Sequence, residues 1–171
     1  GMGVAAQLAQ RTMVTEAPRL RVLRDRLEAG ILSSIAGTDR NGAAEPRLAH
    51  NLNVSIDGVG GAALLRHLRG ALAVSSGSAC SAGEPSHVLR ALGLSRQRAA
   101  ASLRFGLGRH TTDAEIAAAA AVVAAASAVL GVGTGAHIGA ARLPVQQHRY
   151  VRRGRGRREM SMMPRSVAVH S

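Results

Sequence analysis

The chain has 171 residues, a formal net charge of +12 and 46% hydrophobic residues, with one Phe, one Tyr and no Trp. That length fits one domain plus a tail, with a core built from Ala, Leu, Val and Ile. All 22 basic residues are arginine, so no side-chain amine is present that could form a Schiff base. The charge is uneven: residues 1–141 hold 14 Arg against nine acids, and residues 142–171 hold eight Arg against one. The basic balance therefore describes the tail more than the folded part and does not argue for a nucleic-acid-binding domain. One cysteine excludes an internal disulfide, and no export signal opens the chain. A reducing compartment is expected, the cytoplasm or an organellar matrix in a eukaryote.

In chain order, Leu20, Leu23, Leu27 and Ile31 recur at three- and four-residue steps among Arg19, Arg24, Arg26 and Glu28, which predicts an amphipathic helix. Pro18 either kinks that helix or opens a second one capped by Thr15. The arginines between the apolar positions read as a solvated face or as a contact to a further domain. Residues 37–49 read as a loop. Leu52, Val54 and Ile56 alternate with polar residues, a half-buried strand over 51–56. A helix is expected over 62–68, and the apolar run 71–75 reads as a second strand. Residues 76–84 are small and polar and hold Cys80. Pro85 suits the first turn of a helix to Leu92 that Gly93 ends. Residues 102–107 read as a third strand. Thr112 and Glu115 form a capping box for an Ala-rich helix closed by Gly131 or Gly133. The uncharged span 116–136 is too poor in Leu, Ile and Phe to read as a membrane segment, so a buried helix is expected. Together these elements predict an α+β domain, a short sheet with helices mainly on one face. The domain is expected over 1–135, followed by a basic low-complexity tail over 136–171 that is disordered.

Three stretches, Ser75-Ser-Gly-Ser-Ala-Cys80, Glu84-Pro-Ser-His-Val-Leu-Arg-Ala-Leu-Gly93 and Arg104-Phe-Gly-Leu-Gly-Arg109, resemble the C-terminal region of cysteine desulfurases. These are class V aminotransferase-like enzymes that use pyridoxal phosphate. The resemblance covers about residues 1–130. It implies the small C-terminal domain of a fold-type I pyridoxal-phosphate enzyme that works as a homodimer. It also implies that sulfur passes from L-cysteine to Cys80 as a persulfide, leaving alanine, and then to an acceptor protein for iron–sulfur clusters, thio-cofactors or tRNA. Arg104 matches the arginine that holds the substrate carboxylate. The chemistry of both residues fits: a thiolate is the soft nucleophile sulfur needs, and a guanidinium fork matches a carboxylate. Only three residues separate Cys80 from Glu84, so the loop is shorter than in family members that reach scaffold proteins.

The family's Schiff-base lysine has no counterpart here, so the 171-residue chain is expected to be inactive alone, a fragment with exposed apolar surface and poor solubility. Two other readings are a non-catalytic remnant acting as an interaction domain and a selenocysteine lyase. Cys80 and His87 lie close in sequence, but no second pair has ligand spacing, so no metal is expected. His87 and His110 are read as ordinary hydrogen-bonding residues. The tail could be an RNA-binding or acidic-partner segment, a solvated extension, or a translation in an altered frame after about residue 131. Only Tyr150 is there to stack on a base, so nucleic-acid binding is not expected, and the abrupt change in composition favours an altered frame.

Overall fold

A computed structural model describes residues 1–77 and 84–132. Cys80 and the basic tail lie outside the described residues. Helix α1 runs from Met2 to Ser34 as one helix with Pro18 inside it, so the proline does not open a second helix. The Thr15 hydroxyl does not cap; it donates to the carbonyl of Thr12 at 2.9 Å. The buried stripe of α1 is Leu20, Leu23, Leu27 and Ile31, whereas Val4, Leu8 and Met13 in its first half are exposed.

Three antiparallel strands follow in the order β1-β2-β3: β1 (Thr38–Arg40), β2 (Asn51–Ile56) and β3 (Ser102–Gly106). Leu52 faces Phe105 and Val54 faces Leu103 on one side of the sheet; Asn53 faces Arg104 on the other. The apolar side packs on α1, α2 (Gly61–Leu68) and α5 (Asp113–Val129) in one continuous core. Helix α5 begins with the expected capping box of Thr112 and Glu115, and Gly131 follows it with φ 89°. Its alanine content serves close packing: a Cβ on Gly30 of α1 would sit 3.1 Å from the Cβ of Ala120. Among the described residues no helix is long and apolar enough to cross a membrane.

Three expectations need correction. Residues 38–40, read as loop, form β1 because Thr38 and Arg40 pair with Ile56 and Val54 of β2. Residues 71–75 make no strand; only Ser75 pairs, in a single bridge to Arg104. Two short helices, α3 (His87–Ala91) and α4 (Arg96–Ala100), are capped by the hydroxyls of Ser86 and Ser95. Pro85 therefore precedes the cap instead of sitting in the first turn, and α4 was not anticipated. Both helices lie towards the polar side of the sheet, where Ser102 donates to the carbonyl of Arg98 at 2.8 Å.

Of the α1 arginines only Arg24 is buried; Arg11, Arg19, Arg21 and Arg26 are exposed. Arg24 is 1% exposed, donating to Asp25 at 2.8 Å and to the Leu48 carbonyl at 3.0 Å. Arg19 grips the carbonyls of Arg109 and Thr111, each at 2.8 Å. Glu28 is buried and accepts from Arg40 and Arg47, both at 2.6 Å, which ties α1 to β1 and to the loop behind it. A lysine, whose three donors sit on one nitrogen, lacks the planar spread of donors with which the guanidinium reaches these separated acceptors.

Gly61 gives a sharp test of this packing. A Cβ there would lie 1.9 Å from the carbonyl oxygen of Ala100, a backbone atom that cannot swing away. Gly61→Ala should destabilise the domain by about 1–3 kcal/mol, read as a lower midpoint in urea unfolding; an unchanged midpoint would show that α2 and α4 do not meet this closely.

Candidate functional site

The polar side of the sheet opens into a cleft of about 290 Å³. Its floor is Asn41, Asn51, Asn53 and Arg104; one wall is Ser76 and Gly77, and the other is α3 with Ser86 before it. Arg104 reaches this side because strand residues alternate between faces: Leu103 and Phe105 are buried, whereas Arg104 is exposed.

Arg104 is held on both edges of its strand. Across β2 it faces Asn53. On the other edge its N–H donates to the Ser75 carbonyl at 2.6 Å and its carbonyl accepts from the Ser75 N–H at 3.1 Å. The guanidinium also donates to the Ser75 hydroxyl at 3.4 Å. That hydroxyl in turn donates to the Gly77 carbonyl at 2.8 Å and accepts from its N–H at 3.3 Å. The chain that leads into Cys80 thus begins on Arg104.

Among the described residues no carboxylate lines the cleft. The nine acids up to residue 132 are committed elsewhere. Eight pair with arginines, and Glu115 accepts from the Thr112 N–H in its capping box. Arg104 is therefore a cation in a concave site of mixed polar and apolar lining, with no counter-ion among the described residues, and a planar guanidinium in that state is suited to an incoming carboxylate. A second concavity, of about 270 Å³, is lined by Asp57 and Arg98, but these two are 3.2 Å apart and already paired.

A buried polar network supports the floor. Asn41 donates to Asn53 at 2.7 Å and to Ser102 at 3.1 Å, and accepts from the Ser55 hydroxyl at 3.0 Å. Ser55 and Ser102 are fully buried. The sequence reading did not single out Asn41 or Asn53, although the alternation over 51–56 already put Asn51 and Asn53 together opposite the core residues. His87 lines the cleft; His110 does not.

Cys80 lies outside the described residues, and its described neighbours Gly77 and Glu84 bracket the segment that holds it. Pyridoxal phosphate, implied by the resemblance, does not fit as a covalently held group: the chain has no lysine, and the cleft offers asparagine amides and one guanidinium in its place.

No family model matches the chain. Among curated proteins it is similar to cysteine desulfurase IscS of Histophilus somni (strain 2336), Haemophilus influenzae (strain PittEE) and Pasteurella multocida (strain Pm70). Each is 52% identical over 118 residues, covering 68% of this chain and 29% of the relative. The chain thus spans less than a third of the length of these relatives. Among solved structures it resembles a NifS-like protein, with a TM-score of 0.61 and 24% identity, over 71% of this chain and 31% of that one. It also resembles the X-ray structure of a NifS-like protein from Rickettsia africae ESF-5, with a TM-score of 0.63 and 21% identity, over 74% and 33%. These two likenesses carry the fold.

If the Asn41 network supports the cleft floor, Asn41→Ala should cost about 1–3 kcal/mol, because it strands the buried Ser55 hydroxyl, whose acceptor is Asn41. In a Ser55→Ala background the same change should cost less, as urea titrations of the four-protein cycle would register; strictly additive losses would mean the two side chains act independently.

Proposed function

Since the chain belongs over 68% of its length to the cysteine desulfurase family, we propose that its cleft is the substrate-carboxylate side of a desulfurase site and that Cys80 is the sulfur acceptor. The observation that carries this reading is the pairing of Ser75 with Arg104 at 2.6 Å and 3.1 Å. It joins the one uncommitted cation of the cleft among the described residues to the chain leading to the one cysteine.

In this reading Arg104 binds the α-carboxylate of L-cysteine through its guanidinium fork. The Cys80 thiolate attacks the substrate sulfur, an S–S bond forms and the substrate C–S bond breaks. The electron pair of that bond goes to the substrate carbon, which takes up a proton. The balance is cysteine plus a thiol giving alanine plus a persulfide. The sulfur is oxidised as the carbon is reduced, so no external oxidant is needed. Heterolysis to carbon needs an electron sink, the role of pyridoxal phosphate in this family, and no residue of this chain supplies its anchoring amine. The remaining parts of the reading follow the family resemblance: a homodimer, a sulfur-acceptor protein, and a reducing cytoplasmic or organellar compartment that keeps the thiol free.

The test is a chimera in which this chain replaces the matching segment of the Haemophilus influenzae relative. With pyridoxal phosphate bound, it should convert L-cysteine to alanine and carry a persulfide on Cys80. Cys80→Ser should abolish both products, and Arg104→Lys should raise KM about 10- to 100-fold, the loss expected when a charge-assisted bidentate contact is broken. The 171-residue chain alone with added pyridoxal phosphate should release no sulfide. A cofactor-loaded chimera that makes no alanine, or that still forms alanine after Cys80→Ser, would overturn the proposal.

A further inference from the structure

The hydrogen-bond network under the cleft fixes which end of the Asn53 amide faces the ligand. The hydroxyl proton of Ser102 is spent on the Arg98 carbonyl at 2.8 Å. Ser102 can therefore only accept from Asn41, which turns the NH2 end of Asn41 towards it, at 3.1 Å. The oxygen end of Asn41 then meets the Ser55 hydroxyl at 3.0 Å. The second N–H of Asn41 points at Asn53 at 2.7 Å, and the Asn53 atom that receives it has to be the oxygen. The amide orientation thus follows from donor and acceptor counting alone. With its oxygen committed to Asn41, Asn53 keeps both N–H donors of Nδ2, and among the described residues these have no acceptor. Asn53 lies directly across from Arg104 in the β2–β3 register. Both line the same cleft, with Cβ atoms about 4.5–5.5 Å apart as for any facing pair.

We infer that Asn53 is a second donor to the bound carboxylate, acting beside the Arg104 guanidinium, and that Asn41 is the positioning residue that holds its NH2 end towards the ligand. The inference rests on the reading of Arg104 as a carboxylate site and adds to it a three-donor cradle, two N–H groups from Arg104 and one from Asn53. The ligand class is an α-amino acid with a free carboxylate. An ester or amide fits less well, because it loses the charge on the acceptor that strengthens all three bonds. Substitution of Asn53 by Asp would invert the site: the new carboxylate would lie against Arg104 and occupy the fork itself.

The experiment is an NMR titration of the full 171-residue chain, following the Asn53 side-chain NH2 and the Arg104 Nε–H. The probe is S-methyl-L-cysteine, which has no thiol and so reports on the carboxylate independently of Cys80; its methyl ester is the control. Both groups should shift with the acid and neither with the ester. Asn53→Ala should weaken binding about tenfold. Asn53→Asp should abolish it while leaving backbone amide shifts away from the cleft unchanged, which separates a lost donor from a lost fold. If Arg104 shifts and Asn53 does not, this inference fails and the carboxylate reading of Arg104 stands. If neither shifts, both fail together.

Discussion

Everything else in this domain depends on the register between β2 and β3. Because side chains alternate with a period of two, pairing Leu52 with Phe105 and Val54 with Leu103 assigns the apolar set to the helices and the polar set to the cleft in one step. A slip of one residue would bury Asn53 and Arg104 under α1 and α5 and expose the core. The register is therefore held by the burial of Leu52, Val54, Leu103 and Phe105 on one side. Arg104 meets Asn53 as a consequence of where the leucines go.

The exclusive use of arginine has a structural counterpart. Seven arginines up to residue 132 pair with carboxylates, and Arg19 instead caps the carbonyls of the loop after β3. Isolated exposed pairs such as Arg96 with Glu84 contribute little. The buried cluster around Glu28 matters more, since removing one partner would leave guanidinium groups uncompensated in a dry site. By committing the acids to these structural contacts, the fold leaves the cleft without a carboxylate among the described residues. An internal acid beside Arg104 would compete with any ligand carboxylate for the same fork, so the distribution of acids bears on binding as directly as the presence of Arg104.

Much of this was legible in the amino-acid sequence where the signal was local. The alternation over 51–56, the Thr112–Glu115 box and Gly93 and Gly131 each encode their structure within a few residues, and each appears where expected. Strand β1 was not legible because Thr38-Asp39-Arg40 has no apolar alternation. It exists through distant partners: Val54 and Ile56 for its pairing, and Glu28 and Arg98 for its charges. The run 71–75 failed for the opposite reason. Its composition suits a strand, yet the free edge of β3 pairs with it at Ser75 alone. Helix α4 is five residues long, below the span at which periodicity carries information.

The same distinction applies to the site. Cys80 and Arg104, the residues proposed for it, are visible in sequence because each is a reactive or charged residue in a distinctive motif. Asn41 and Asn53 are ordinary polar residues whose role arises from a chain of acceptors that starts at the Arg98 carbonyl and passes through two buried serines. Neither serine touches the cleft, and no spacing rule links positions 41, 53, 55 and 102. What links them is that a buried hydroxyl and a half-buried amide satisfy each other. That requirement, set by the sheet's pairing, turns an asparagine whose two ends would otherwise be interchangeable into a group with a donor facing outwards.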